Sequence, residues 1–311
     1  MKLENKKLAS SASAPGKLIL FGEHAVVYSQ PAIAASLSDL RMHALCETRT
    51  DGLVVINLPD LRPIPILDYK LPVAVLDSSK TSNDAIMKNP FTPNEDDEVD
   101  NEFLLRTLDP LLYLIKTILL PTLTQVKENT LGISFEIKSR ALPVGAGLGS
   151  SAAFCVAASA ALVRLSQIIQ AKIIGAEQEH NHTELSSNQT ADTERPSNAT
   201  LEQINQYAFE AEKIINGNPS GVDNYVSCFG GAVYYQKENG GNSKTIGMGT
   251  LPQMDILLTN TKVPKSTKKL VANVAERTKK FPNMMHGIFN AIGGISRYDE
   301  ILMFKFLQVH I

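Results

Sequence analysis

Along the chain the hydrophobic period changes several times, and each change marks an element. Leu131, Ile133, Phe135 and Ile137 alternate with polar or small residues, the period-two pattern of a half-buried strand. Leu18-Ile19-Leu20-Phe21, introduced by Ala14-Pro15-Gly16-Lys17, reads as an earlier strand. The apolar stretches 32–35, 42–45 and 53–58 read as further short strands between Pro, Gly and Asp turns. Phe103–Leu123 reads as a helix that meets Pro121, and Ala152–Leu165 as a small-residue apolar helix behind a glycine-rich turn. From Ser166 to Ala199 the chain turns polar and reads as an exposed excursion. Thr200-Leu201-Glu202-Gln203 fits a capping box and opens a helix that ends near Gly217. Val222–Tyr235 reads as a buried turn and strand, and Gly240–Gly249 as a flexible connection that marks a domain boundary. Met254–Leu258 reads as a strand and Ser266–Arg277 as a helix.

Composition narrows the picture. At about 150 residues per domain, 311 residues suggest two domains, and 43% hydrophobic content suffices for a sizeable core. Thirty Lys and Arg against 32 Asp and Glu give a net charge of −2, which disfavours nucleic acid as a partner. The three cysteines, Cys46, Cys155 and Cys228, show no CxxC pairing, and the histidines form no HExxH. His180 and His182 lie in a polar stretch and read as solvated. The block Glu95, Asp96, Asp97, Glu98, Asp100 and Glu102 reads as a solvated loop. No signal-type h-region follows the N-terminal lysines, and the apolar run Leu108–Leu123 is broken by Pro110, Lys116 and Pro121. A reducing compartment and no membrane span are expected.

Four local features could carry chemistry. The first is a strand, then Gly145-Ala146-Gly147-Leu148-Gly149-Ser150-Ser151, then a helix. Glycines let a ligand approach the backbone, and the N–H groups that open the helix favour phosphate. The spacing is neither a Walker A motif nor GxGxxG; a ligand-free turn is the alternative. The second is Glu212, which shares the apolar face formed by Leu201, Ile204, Ala208, Ala211 and Ile215. A carboxylate there either joins a core ion pair or holds a cation. The third is Asp223 in the turn Asn218-Pro219-Ser220-Gly221-Val222-Asp223-Asn224, a candidate base or an Asx-turn residue. The fourth is Lys17 at the mouth of an apolar strand, either held near the core's rim or snorkelling to water. Together they make a phosphoryl-transfer kit.

Ser13-Ala14-Pro15-Gly16-Lys17, Gly22-Glu23-His24-Ala25-Val26-Val27-Tyr28, the segment Leu142 to Ala153 and Gly217 to Asn224 together resemble the GHMP small-molecule kinases. Within that family they are most similar to the branch that acts on mevalonate, and Leu257-Leu258-Thr259-Asn260-Thr261-Lys262-Val263-Pro264 adds to that match. The resemblance covers roughly Ala12 to Asn290, with 77–102 and 166–199 as variable loops. It implies an α+β GHMP kinase two-domain fold: a ribosomal S5-like N-terminal, ATP-binding domain over 1–245 and a partial C-terminal α+β domain over 246–311.

The implied activity is transfer of phosphate from ATP to the 5-hydroxyl of mevalonate, with Mg²⁺ as cofactor, in isoprenoid and sterol precursor synthesis. The resemblance implies Asp223 as the catalytic base and Lys17 as its partner, which also contacts ATP. It implies Gly145, Ala146, Gly147, Leu148, Gly149, Ser150 and Ser151 around the ATP phosphates, and Ser151 and Glu212 as Mg²⁺ ligands. Glu23, His24 and Thr267 are the implied substrate-side residues. A homodimer in the cytoplasm is the implied setting; Lys17-Leu18 with His24-Ala25 also resembles an internal peroxisomal address.

Two departures set further expectations. The family's third glycine-rich motif, of the Gly-Ala-Gly-Gly-Gly-Gly type, is absent, and after about Ile295 the sequence leaves the family pattern for an apolar tail, Ser296 to Ile311. A C-terminally truncated chain with weak or lost activity is therefore expected. The alternatives are a non-catalytic isoform that binds nucleotide or a full-length partner, and another GHMP small-molecule kinase.

Overall fold

The computed structural model describes residues 7–60, 69–73, 101–126, 131–178, 195–217, 219–237, 243–249, 256–259 and 267–308. The acidic block from Glu95 to Asp100, His180, His182, Asn218 and the motif residues Asn260 to Pro264 lie outside this set. In chain order the strands are β1 (Ala9–Phe21), β2 (Ala32–Arg49), β3 (Leu53–Asn57), β4 (Tyr69–Pro72), β5 (Gly132–Arg140), β6 (Ala232–Lys237) and β7 (Ser243–Gly249). The helices are α1 (Asn101–Leu114), α2 (Leu120–Leu123), α3 (Ser150–Gln178), α4 (Asn198–Asn216), α5 (Val222–Phe229), α6 (Thr267–Lys280) and α7 (Pro282–Gln308). The mixture is α+β, and β1 pairs with β2.

Contacts divide the chain into two compact units. The first comprises Met1–Ser13, His43–Lys138 and Phe154–Ile215; the second comprises Ala14–Met42, Ser139–Ala153 and Asn216–Ile311.

In the first unit β3 runs antiparallel to β4 and parallel to β5. The expected alternation holds in β5, where Ile133, Phe135 and Ile137 are buried. β3 instead buries three consecutive residues, Val54, Val55 and Ile56, as a strand covered on both faces does. The expected helix 103–123 forms as α1 and α2 joined by a π turn, Ile115–Leu119. That wide turn sits just before Pro121, which has no N–H to donate to the preceding turn.

The expected exposed excursion from Ser166 is corrected over its first part. α3 continues to Gln178, Ile169 is fully buried, and the Ser166 and Thr122 hydroxyls lie 2.7 Å apart. Gln170 also donates to Thr122 but is itself exposed, as are Gln167 and Lys172, so this part of α3 is helical with its outer face still open to water. α3 is also, over Ser150–Gly175, long and apolar enough to cross a membrane, but it is mostly buried inside the fold. α4 begins two residues before Thr200, and the Ser197 hydroxyl, not Thr200, caps it by accepting from the Thr200 N–H.

In the second unit β2 pairs with β6 through Ala32–Ala35, and β6 pairs with β7, both antiparallel. Alternate residues enter two clusters. Ala32, Ala34, Val233 and Tyr235 pack with Val26, Val222 and Val226, while Ile33, Ala232 and Tyr234 pack with Met248. Three expectations change here. Val222–Phe229 is a helix, not a turn, because Val222 and Val226 lie one helical turn apart on the face that meets β2 and β6. Residues 243–249, expected as a flexible connection, form β7, and Met248 is buried. Ile256, Leu257 and Leu258, expected in a strand, have no regular structure and are exposed. The expected helix from Ser266 forms as α6, starting one residue later and ending three residues later.

Candidate active site

Lys17 stands where β1 passes the glycine-rich loop. Its N–H donates to the Leu148 carbonyl at 2.9 Å. Gly16, one residue earlier, has no room for a side chain: a Cβ there would lie 2.6 Å from Leu142 and 2.7 Å from the Leu148 oxygen. The loop backbone and β1 are therefore in direct contact. Gly149 closes the contact from the other side, with φ +71° and a would-be Cβ 2.6 Å from Lys17 Cγ. Only glycine meets both conditions at once.

The Lys17 side chain, 8% exposed, ends 3.1 Å from Asp223 Oδ1. Asp223 occupies the first turn of α5, which starts after Gly221 in the left-handed conformation. Tyr235 supports this start by donating its hydroxyl to the Ser220 carbonyl at 2.5 Å. With α5 seated on β2 and β6, the Asp223 carboxylate is turned to the lysine and keeps 32% of its side chain open. A carboxylate paired on one side and accessible on the other can take a proton from an incoming hydroxyl. The ammonium beside it supplies fixed positive charge where negative charge develops.

The loop itself has glycines 145, 147 and 149 in the left-handed region at φ +75°, +83° and +71°, with Ala146 and Leu148 between them in ordinary conformations. Glycines with positive φ spaced in this way are what backbone turns that present N–H groups to an anion require. Ser150 and Ser151 then open α3, and Ala153 donates to the Gly149 carbonyl at 2.9 Å. As in any helix, the N–H groups of the first turn have no acceptor within it. The Ser150 hydroxyl accepts from Gly145 N–H at 3.4 Å, which ties the two ends of the loop.

Ser151 Oγ is buried and has no hydrogen-bond partner among the described residues. Glu212, in the first unit, is 3% exposed and lies on the buried face of α4 with Leu201, Ile204, Ala208 and Ala211, as expected; Ile215 is only half-buried. Burial pushes the Cys155 thiol well above its usual range, and the Glu212 charge pushes it the same way. A hydroxyl and a carboxylate are each hard oxygen donors, the type that Mg²⁺ takes, so each residue taken by itself has chemistry that suits that ion. Among the described residues no cluster of three or more His, Cys, Asp and Glu could hold a metal by itself.

The remaining expected residues lie in the second unit. Glu23 is exposed and His24 half-buried, on the turn between β1 and β2, and Thr267 heads α6 with its side chain outside the described set. Thus the structure brings Lys17, Asp223, Leu148 and Gly149 together. Cys155 beside Glu212 is absent from the sequence-derived set. Its position four residues after Ser151, on the same face of α3, is the signal that would have found it.

A family model described as the GHMP kinases N terminal domain matches residues 113–190. The mevalonate kinase of Mus musculus is 37% identical over 297 residues, covering 91% of this chain and 67% of that protein. That of Dictyostelium discoideum is 35% identical over 300 residues, covering 94% of this chain and 70% of the relative. The chain belongs to the mevalonate kinase family. It is a kinase, and it spans about two thirds of those relatives' length.

Solved mevalonate kinases share its fold. The L. major enzyme in complex with R-mevalonate matches with a TM-score of 0.61 at 20% identity, over 98% of this chain and 72% of that one. The Methanococcus jannaschii enzyme matches with a TM-score of 0.55 at 21% identity, over 96% and 73%. Membership of the mevalonate kinase family agrees with the fold class and kinase activity implied by the sequence motifs.

Proposed function

We propose that the chain transfers the γ-phosphoryl group of ATP to the 5-hydroxyl of mevalonate. The observation that carries this reading is the Lys17–Asp223 pair at 3.1 Å beside the glycine loop. Mevalonate is chosen because the matched relatives are named for it.

In this reading the 5-hydroxyl oxygen attacks the γ-phosphorus, the bond to the β-phosphate oxygen breaks, and ADP leaves. Asp223 takes the hydroxyl proton. Lys17 stabilises charge on the attacking oxygen, and the N–H groups of 145–151 hold the phosphates. Glu23, His24 and Thr267 face the mevalonate. Ser151 and Glu212 would each offer an oxygen to Mg²⁺, which when bound would supply charge neutralisation at the phosphates. Because little covalent chemistry falls to the protein in phosphoryl transfer, positioning and charge neutralisation are what these residues must supply.

A coupled ADP-release assay with Mg-ATP tests this. Turnover, even if weak as the departures from the family pattern lead one to expect, is expected with mevalonate and not with phosphomevalonate, galactose or homoserine. Turnover of one of those alone would replace mevalonate as the substrate, and turnover of none would reject catalysis. Calorimetric titration with Mg-ATP tests the cation residues. Glu212→Gln is expected to weaken Mg²⁺-dependent binding by at least the roughly tenfold typical of losing even an outer-shell partner. Binding of ATP in excess EDTA should not change.

A further inference from the structure

The turn that carries Glu23 and His24 is held in a strained conformation. His24 and Ser29 both have positive φ without being glycines, +64° and +62°, with Ser29 in the left-handed conformation, and they bracket the one-turn 3-10 segment Ala25–Tyr28. Gly22 enters the turn at φ +89°, where a Cβ would lie 2.3 Å from the Pro31 oxygen. Strain of this kind persists only where the surroundings over-determine the backbone.

α7 supplies those surroundings. Ala25 is buried against Met285 and Phe289, with Tyr28, Val274 and Ile292 packed around them. The rings of Tyr28 and Phe289 stack with centroids 4.1 Å apart, and the Thr278 hydroxyl of α6 lies 3.4 Å from the Tyr28 hydroxyl. Just past the turn, Gln30 is clamped at both ends of its amide. Its Nε2 donates to Asn290 Oδ1 at 3.2 Å, and its Oε1 accepts from Arg297 Nη2 at 3.1 Å. Gly293 lies on α7 between these two partners and is buried, and a Cβ there would come within 2.0 Å of Gln30 Oε1. The amide of Gln30 therefore occupies the space that a side chain at 293 would fill.

We propose that Gln30, Tyr28 and Phe289 are positioning residues: through them α7 holds the 23–30 turn in the shape that presents Glu23 and His24 to the phosphoryl acceptor. This rests on the proposed reading of those two residues as substrate-facing. Acceptor affinity should then depend on a clamp remote from the glycine loop and from the Lys17–Asp223 pair.

Two neighbouring glycines make the test. Gly293→Ala adds one methyl that expels the Gln30 amide, whereas Gly294→Ala adds the same methyl into open space. Alanine favours helix over glycine at both sites, so neither change should unfold α7. Amide hydrogen exchange across 23–30 is expected to accelerate in Gly293→Ala and to match wild type in Gly294→Ala. In steady-state kinetics Gly293→Ala is expected to raise KM for mevalonate about tenfold with KM for ATP unchanged, the mark of lost binding on one substrate only. Gln30→Ala should behave alike.

Unchanged exchange in Gly293→Ala overturns the clamp whether or not the chain is active. Faster exchange with an unchanged KM for mevalonate overturns the positioning role, as does an equal change in both KM values. A wild type with no mevalonate turnover overturns the proposed substrate instead, and the exchange measurement still decides the clamp.

Discussion

Asp223→Asn is expected to lower kcat by about 10²–10⁴-fold, the range that a positioned general base contributes, while ATP binding by calorimetry stays at the wild-type level. The substitution keeps the shape of the side chain at the start of α5 and removes the proton acceptor. It also leaves the Lys17 ammonium, nearly buried and 3.1 Å away, without its counter-charge. Two effects would therefore be mixed, loss of the base and disturbance of the lysine. Lys17→Met and the double variant separate them. Groups that act as one unit lose their joint effect once, so the double variant should be about as slow as Asp223→Asn alone. A full sum of the two single losses would mean that the residues act independently, and near-wild-type kcat in folded Asp223→Asn would remove the aspartate from the chemistry.

Gly149→Ala is the second large effect. Alanine would be forced into the left-handed region, at a cost of about 1–2 kcal/mol. Its methyl would also meet Lys17 Cγ at 2.6 Å, and the lysine must move, because the strand that carries it is bonded to the loop through Leu148. A displacement near 1 Å at a reacting group can cost on the order of 10²-fold in rate, and that is the expected fall in kcat. Gly145→Ala and Gly147→Ala provide the comparison, since they share the positive φ but meet nothing within 4 Å. Thermal unfolding should fall in all three, most at 149 where the clash adds to the strain, whereas kcat should collapse only at 149. Equal kcat losses at the three glycines would locate the effect in backbone strain rather than in Lys17.

Much of this site could be read along the chain. The period of the α4 stripe put Glu212 on its buried face, and it is there, because helical geometry repeats within a few residues. The glycine-rich turn before a helix was legible for the same local reason, and its glycines 145, 147 and 149 do take positive φ. Local reading failed where distant segments decide. Ser166 was expected in an exposed stretch, yet it is buried against Thr122, 44 positions away, and α3 runs on through it. The Asp223 segment looked like a turn until β2 and β6 supplied an apolar face for Val222 and Val226, which makes it helical.

By itself, then, the sequence determined which chemical groups this kinase carries, their order, and the local backbone each needs, since propensity and period act over a few residues. The tertiary structure decided which groups meet. It set the carboxylate of Asp223 against Lys17, and it braced the His24 turn with Gln30 and Arg297, 267 positions apart. Such pairings depend on how strands and helices close over long loops, and no local pattern encodes where those loops return.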